Sequence, residues 1–253
     1  MAGAWRPVPG VGRLGKTGTM VGRPKAWMSW SSGKDSAMAL HKARSEGAVE
    51  VTALLTTVNF DAGRVAMHAV RRSLLAAQAD RLGLRLFCVE IPSPCPNETY
   101  EARMTDAMAA AKEEGVAYVV FGDLFLEDVR AYREEKLAGT GISPLFPLWG
   151  LPTGPLARQM LGSGLKAVIT CVDPAQLGAE FAGRHFDDKL LTELPAGVDP
   201  CGERGEFHTF AWDAPGFSSP IDVEVGPVVK RDDFVFCDLK AAGPRGGAMQ
   251  GLP

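Results

Sequence analysis

In residues 28–40, MSWSSGKDSAMAL, a loop of small residues with one lysine separates an apolar run from a helical pattern. Ala26–Trp30 has the composition of a short buried strand, and Ser36–Glu46 has that of a helix with an apolar side. The stretch therefore predicts a strand, a tight loop and a helix in direct succession. A loop in that position raises the question of which anion it holds.

The same alternation of strand and helix continues to about residue 121. The later predicted strands are Val49–Val58, Leu84–Ile91 and Ala117–Phe121, and the predicted helices between them are Ala66–Leu82 and Asn97–Glu114. Strands that are apolar on both faces and alternate with helices require crossover connections. The predicted fold class is therefore α/β, with a doubly wound and mostly parallel sheet covered by helices.

The pattern changes after Asp123. The predicted elements there are a charged helix at Glu127–Lys136, a helix at Leu156–Leu161, a strand at Lys166–Val172, and short strands separated by Pro and Gly turns from Glu206 onward. Residues 1–24 hold six glycines and three prolines without a hydrophobic period. We therefore expect a disordered extension at residues 1–24, a nucleotide-binding domain at 25–144 and a smaller C-terminal α+β lobe at 145–253 that binds substrate.

Composition narrows the class of function. The chain has 253 residues, of which 46% are hydrophobic, so it can bury a sizeable core. Its formal charge of −3 supplies no basic field, which makes nucleic acid an unfavoured partner. Its apolar runs are far shorter than the roughly 20 residues that span a bilayer, and its N-terminus has no apolar signal segment. A cytoplasmic protein with no membrane partner is expected.

Two segments compete as the phosphate loop. Residues 10–17 match the Walker A spacing G-x-x-x-x-G-K-[ST]. A working Walker loop joins the end of a buried strand to the start of a helix, and the Gly- and Pro-rich flanks of residues 10–17 supply neither. The loop at residues 31–36 has both flanks. We therefore expect the Walker match to be fortuitous and the second loop to bind the anion.

The second loop consists of Ser31, Ser32, Gly33, Lys34, Asp35 and Ser36. Small side chains in its first half let backbone N–H groups approach an anion, and the following helix points its positive dipole end at the same place. Lys34 and the hydroxyls of Ser32 and Ser36 add charge and donors. The alternative interpretation is an ordinary turn with a solvated lysine and Ser32 or Asp35 as the helix N-cap.

This loop resembles the S-G-G-x-D-S pyrophosphate loop of the N-type ATP pyrophosphatases, with Ser32 in place of the first glycine. Three further segments resemble motifs of the diphthine–ammonia ligase family and occur in the order in which that family has them. They are Gly122-Asp123 followed by Glu127 and Arg130, Pro147-Leu148-Trp149, and Cys201–Thr209 with the pattern G-E-x-G-E-F. Together these motifs cover roughly residues 26–239, and the chain is identified as a member of that family.

The resemblance implies a Rossmann-like fold of the adenine nucleotide alpha hydrolase type and an ATP-dependent amide ligase. A small-molecule or protein-borne carboxylate would attack the α-phosphate of ATP, and ammonia would then displace AMP from the acyl-adenylate, with pyrophosphate as the other product. ATP and Mg²⁺ are the implied cofactors. Assembly as a homodimer is neither required nor excluded by the resemblance.

The resemblance also implies site residues. For ATP these are the six residues of the loop, Thr56, Thr57 and Gly122, with Asn59 as a further contact; for Mg²⁺ they are Asp35 and Asp123. For substrate they are Glu127, Arg130, Trp149, Glu203, Glu206 and His208. The catalytic candidates are Lys34, Asp123, Glu203, Glu206 and His208.

The segment around Glu206 carries the prediction for the second substrate. If Glu206 begins a strand, its side chain and that of His208 point to one face, and Glu203 lies on the preceding loop. Two carboxylates and an imidazole suit the deprotonation of ammonium, which needs a base near neutral pH. The alternative is a turn whose acidic and His side chains are solvated or paired with Arg204.

Two other functions compete with the ligase. A tRNA-modifying sulfurtransferase of the same superfamily would use Cys201 as its nucleophile, but the five cysteines include no C-x-x-C pair. A non-catalytic ATP- or AMP-binding protein would need only the loop. His68 matches a histidine expected in bacterial-type members of the family, and a surface position on a helix explains it equally well.

Overall fold

The computed structural model describes residues 22–59, 64–65 and 70–242, the pair 64–65 by its backbone only. Residues 10–17, His68 and nearly all of the predicted N-terminal extension lie outside these residues, so the predictions made for them stay predictions. No helix in the described part of the chain is long and apolar enough to cross a membrane.

The first sheet contains six strands. They are β1 (Lys25–Ser29), β2 (Glu50–Asn59), β3 (Arg64–Val65), β4 (Arg85–Ile91), β5 (Val116–Val120) and β6 (Ser143–Leu145). Five of them run parallel in the order β4-β2-β1-β5-β6, and the short β3 pairs antiparallel with the end of β2. Because β1 lies at the centre, its carboxyl end is the point where the chain winds in opposite directions.

Helices cover both faces of this sheet. They are α1 (Lys34–Glu46), α2 (Arg72–Leu82), α3 (Asn97–Glu113) and α4 (Glu127–Leu137). Buried side chains of α1 and α2, such as Leu40 and Leu74, belong to one apolar cluster. Those of α3 and α4, such as Met108 and Leu137, belong to the other. The predicted doubly wound α/β class is thereby confirmed.

The prediction for the second helix is wrong at its start. The pattern placed the helix from residue 66, of which residues 66–69 lie outside the described residues. At Val70 and Arg71 the prediction is wrong, because α2 begins at Arg72 and Arg71 has an extended backbone. The Arg71 guanidinium is held by the Asp238 carboxylate, with Nη2–Oδ2 at 2.6 Å, and by the Leu239 carbonyl. A long-range ion pair therefore fixes the residue that the local pattern assigned to the helix.

The C-terminal part forms a second, antiparallel sheet. Its elements are α5 (Thr153–Gly162), β7 (Lys166–Val172), a 3-10 turn (Ala179–Phe181), β8 (His185–Phe186), α6 (Asp188–Glu193), β9 (Phe207–Asp213), β10 (Val223–Arg231) and β11 (Phe234–Ala241). Strand β7 pairs with β8 and β11 as well as with β9. The last three strands have seven to nine residues and are longer than predicted, because β10 and β11 form one hairpin.

One apolar cluster joins the two sheets. It includes Leu40 of α1, Leu75 of α2, Val168 of β7 and Phe210 of β9, all at most 1% exposed. The C-terminal lobe therefore packs on the α1 and α2 side of the first sheet. The predicted division at residue 145, the last residue of β6, stays a prediction.

Candidate active site

A cavity of about 750 Å³ lies at the carboxyl ends of β1, β2 and β5 and extends between α3 and α4. Its lining includes Trp30, Ser31, Thr56, Thr57, Tyr100, Met104, Phe121, Tyr132, Arg133 and His208. Parallel sheets bind ligands at this edge, and the volume is in the range of small-molecule sites. Of the predicted nucleotide contacts, Ser31, Thr56 and Thr57 face this cavity.

The predicted anion loop joins β1 to α1 directly. Gly33 is the N-cap of α1, and neither Ser32 nor Asp35 caps the helix. The alternative in which Ser32 or Asp35 acts as N-cap is therefore wrong. The Ser36 hydroxyl donates to the Gly33 carbonyl at 2.9 Å, which tightens the turn. The Lys34 N–H in this first turn donates to Thr209 Oγ1, and the other N–H groups of the turn are suited to an anion.

Ser32 has an unusual backbone. Its φ of 70° lies in the left-handed region that favours glycine, which explains why the resembled loop has glycine there. The residue is fully buried, and its hydroxyl has no hydrogen-bond partner among the described residues. The buried Thr56 hydroxyl likewise has none within that part of the chain. Two buried hydroxyls without partners fit a site whose phosphate or ribose oxygens complete their bonds.

Gly122 brings the loop after β5 against the start of α1. A Cβ atom at Gly122 would lie 3.0 Å from the Asp35 carbonyl carbon and from the Ser36 nitrogen, so only glycine allows this approach. The next residue, Asp123, accepts two hydrogen bonds from the Arg133 guanidinium, with Nε–Oδ2 at 2.5 Å. Asp123 thus lies next to the anion loop and is paired with a cation in this structure.

The carboxylates predicted to hold Mg²⁺ are those of Asp35 and Asp123. Among the described residues no group of three His, Cys, Asp or Glu side chains is arranged to hold a metal ion. Mg²⁺ prefers oxygen ligands and is often held by one or two carboxylates together with phosphate oxygens and water. In this structure Asp35 is paired with Lys34 and Asp123 with Arg133, so Mg²⁺ binding by these two carboxylates stays a prediction.

Lys34 points away from the cavity and into the junction between the lobes. Its Nζ atom lies 2.8 Å from Asp35 Oδ2 and donates a very short hydrogen bond to the Cys201 carbonyl. Burial lowers the pKa of Lys34, but the carboxylates of Asp35 and Glu203 outweigh this effect, so the net direction is upward. Its backbone N–H donates to Thr209 Oγ1 at 3.1 Å.

Glu203 links the C-terminal lobe to the loop after β5. Its Oε1 atom accepts a hydrogen bond from the Leu124 N–H at 2.7 Å and a longer one from the Phe125 N–H. Burial raises the pKa of Glu203 to about 7; the Leu124 bond opposes the rise, and the charges of Asp35 and Asp123 add to it. Glu203 is therefore a carboxylate that exchanges protons near neutral pH.

Glu206 and His208 differ in their surroundings. The buried Glu206 carboxylate accepts hydrogen bonds from the N–H groups of Asp199 and Arg204, both at 2.9 Å, and so holds the loop together. His208 lines the cavity, and burial, followed by the charge of Lys34, lowers its pKa to about 4. The imidazole is thus neutral at pH 7. A substrate contact for Glu206 stays a prediction.

The remaining predicted substrate residues lie outside the cavity lining. The Arg130 guanidinium stacks over the rings of Phe146 and Trp149, at 5.0 and 4.7 Å from their centres, and pairs with Glu134. Glu127 is exposed at the start of α4. Their role in substrate binding stays a prediction, as does the contact proposed for Asn59.

Sequence reasoning missed Gln78 and Thr209. Gln78 is fully buried on α2 and bonds Trp30 Nε1, the Ser32 carbonyl and the Ala211 carbonyl at 2.6–2.9 Å. A glutamine on an amphipathic helix carries no local sign of such a position. Thr209 lies inside the recognised C-terminal segment, but its contact with the Lys34 N–H spans 175 residues.

Cys201 lacks the properties of a nucleophile. Its side chain is buried, and the thiol donates to the Thr153 carbonyl at 3.5 Å. Burial raises the pKa of the thiol well above its usual value, although the charge of Lys34 opposes the rise. Since the thiolate is the reactive form, this cysteine is inert in the described conformation.

The parallel sheet, the loop between β1 and α1 and the cavity at the strand ends define the class as a nucleotide-binding α/β protein. Two family models match the chain, the diphthamide synthase N-terminal domain over residues 24–142 and the diphthamide synthase C-terminal domain over residues 153–243. The chain belongs to this diphthine–ammonia ligase family, as the resemblance of its motifs predicted.

Curated relatives agree with the family models. A diphthine–ammonia ligase of Mus musculus is 30% identical over 136 residues, which is 51% of this chain and 50% of the relative. That of Homo sapiens is 29% identical over 157 residues, 59% of this chain and 58% of the relative. The chain thus spans little more than half the length of these relatives.

A solved structure also matches part of the chain. It is the U34-tRNA thiolase NcsA of Methanococcus maripaludis with its [4Fe-4S] cluster, at 16% identity and a TM-score of 0.31, covering 53% of this chain and 55% of that one. A likeness this low has no bearing on function.

Proposed function

We propose that the protein is an ATP-dependent ligase that converts a carboxylate into an amide and releases AMP and pyrophosphate. The observation that carries the proposal is the junction of the anion loop with the C-terminal segment. The Lys34 N–H bonds Thr209 Oγ1, and the Ala211 N–H bonds the Ser32 carbonyl at 2.9 Å. Glu203, which titrates near pH 7, is held at the same junction.

In the first step the substrate carboxylate attacks the α-phosphorus, and the bond to the oxygen bridging to the β-phosphorus breaks. Pyrophosphate leaves with the electron pair of that bond. The first turn of α1 and the hydroxyls of Ser32 and Ser36 would stabilise the leaving charge. Mg²⁺, when bound through Asp123, would supply further neutralisation of phosphate charge.

In the second step the nitrogen attacks the acyl carbon, and AMP leaves. On going from ammonium to amide the nitrogen loses two protons, which pass to a base and then to solvent. Glu203 suits this role because its pKa of about 7 lets it accept and release protons at physiological pH. His208, with its pKa of about 4, would stay neutral and accept a hydrogen bond at its unprotonated ring nitrogen.

The sulfurtransferase alternative fits less well. It needs a reactive thiolate, whereas Cys201 is buried and its thiol is held protonated. The non-catalytic alternative also fits less well, because a protein that only binds nucleotide does not need a carboxyl group with a raised pKa such as Glu203.

The test is an assay of the purified protein with ATP, Mg²⁺, ammonium chloride and candidate carboxylates, followed for AMP and pyrophosphate. We expect both products in equal amounts and dependent on the carboxylate. Ser36→Ala should lower the rate by about 10²-fold, the usual scale for losing one donor to a developing negative charge. Ser45→Ala is the matched control, because Ser45 also lies on α1 and donates to the carbonyl three residues earlier. Formation of ADP, or binding without turnover, would refute the proposal.

A further inference from the structure

The ammonium group of Lys34 lies in a cage of four groups. Two are oxygens, the Asp35 carboxylate and the Cys201 carbonyl. The other two are the rings of Phe186 and Phe207, whose centres lie 5.6 and 5.3 Å from Nζ. Carboxylate, carbonyl and aromatic faces are the groups that bind an ammonium ion in proteins. These four groups form a cation-binding site, which the Lys34 ammonium group occupies in this structure.

Lys34 is also the first residue of α1, where the proposed pyrophosphate binds. Pyrophosphate carries more negative charge than the single carboxylate that now holds Nζ, and a lysine on its flexible four-carbon stem can turn toward it. If Lys34 turns, the Asp35 carboxylate keeps its place in the cage without a counterion. An unpaired charge at a largely buried position is strongly unfavourable, so a cation that takes this place stabilises the carboxylate.

We propose that this cage, vacated by Lys34 when nucleotide binds, is the binding site of the ammonium ion that serves as second substrate. The inference rests on the proposed ligase function. An ammonium ion has the same charge and the same N–H donors as the side-chain group that it replaces. The Asp35 side chain is 27% exposed, so the cage is open to solvent on its carboxylate side.

The position of the cage suits the chemistry. The charges of Lys34 and Glu203 influence each other, so an ion in the cage would lie in the field of this carboxylate. The arrangement also imposes an order, because ammonium binds only after the phosphates have drawn Lys34 away. Nitrogen is then present only when an adenylate can form.

A structural experiment tests the exchange directly. In a crystal structure with α,β-methylene-ATP, Mg²⁺ and rubidium ions, which are close to ammonium in size and scatter anomalously, we expect Lys34 Nζ on the phosphates. Rubidium should then occupy the place between Asp35 and the Cys201 carbonyl. Nζ still bound to both groups in the presence of nucleotide would refute the proposal.

A kinetic experiment tests the aromatic wall. Phe186→Leu removes one ring face and should raise the KM for ammonium about tenfold. Carboxylate-dependent exchange of pyrophosphate into ATP, which needs no ammonium, should stay unchanged, as should amidation with hydroxylamine, which is uncharged near neutral pH. Phe181→Leu is the matched control, since Phe181 is equally buried in the same lobe but packs under Arg184. An unchanged KM for ammonium would refute the cage, whereas absence of pyrophosphate exchange in the unaltered protein would refute the ligase itself.

Discussion

Replacing Ser32 by glycine should make the nucleotide-free protein more stable and weaken its binding of ATP. A non-glycine residue in the left-handed region costs about 1 kcal/mol, and a buried hydroxyl without a partner costs about 1–2 kcal/mol more. Glycine's greater freedom in the unfolded chain opposes this by about 0.5–1 kcal/mol. The free energy of unfolding should therefore rise by about 1.5 kcal/mol, and Tm by about 4 °C.

The second half of the prediction concerns the ligand. If the Ser32 hydroxyl donates to a phosphate oxygen, its loss should raise the Kd of ATP roughly tenfold, the scale of one hydrogen bond to a charged group. Thermal unfolding with and without ATP, and calorimetric titration, measure the two effects. Together the two effects would show that Ser32 lowers the folding stability of the protein while its hydroxyl contributes a hydrogen bond to bound ATP.

Asp232→Gly provides the control. Asp232 is the other described non-glycine residue with positive φ, at 52°, but it is exposed in the turn between β10 and β11. Relief of its backbone and the added freedom of glycine should nearly cancel, leaving stability and ATP binding unchanged. A Ser32→Gly variant no more stable than the unaltered protein would refute the reasoning about Ser32.

Three further predictions concern the same junction. The rate of amide formation should rise with pH through about 7, as Glu203 loses its proton, and Glu203→Gln should be slower by about 10²-fold with this rise abolished; a pH–rate profile checks both. Gly122→Ala should push the Asp35–Ser36 peptide away, which should lower the free energy of unfolding by about 1–3 kcal/mol and weaken ATP binding at least about tenfold. Gly162→Ala is the control: its added methyl group has open space around it, so thermal unfolding and calorimetric titration with ATP should show no loss of stability or affinity. Cys201→Ala should keep AMP formation within about threefold of the unaltered rate, and loss of all activity would revive the thiol mechanism.

The sequence predicted the elements whose cause is local. The strand and helix around the loop at residues 31–36 were found within two residues of their predicted bounds, because apolar period and small loop residues are both encoded nearby. The strand Lys166–Val172 was found with the bounds predicted. The family was recognised from motifs that lie in the described chain.

The contacts that orient the side chains of the candidate site could not be predicted from the sequence. The sequence predicts that Lys34 binds phosphate, but in the structure its side chain points to the Cys201 carbonyl, which is 167 residues away. The substrate contact of Glu206 stays a prediction, and the sequence did not indicate that its buried carboxylate accepts two backbone N–H groups in its own loop. The pKa of Glu203 depends on burial by the junction of two lobes. The surroundings of these three side chains depend on packing between distant segments, which a local sequence pattern does not predict.

The side chain of Gln78 ties three distant segments of the chain together. Its amide bonds Trp30 and the Ser32 carbonyl on one side and the Ala211 carbonyl on the other. The loop at residues 31–36 is therefore not an independent module, because contacts with α2 and β9 hold its backbone. Chimaeras that exchange the C-terminal lobe between relatives would have to keep this three-way contact to inherit a working loop, and ATP binding can serve as a readout that both lobes have assembled correctly.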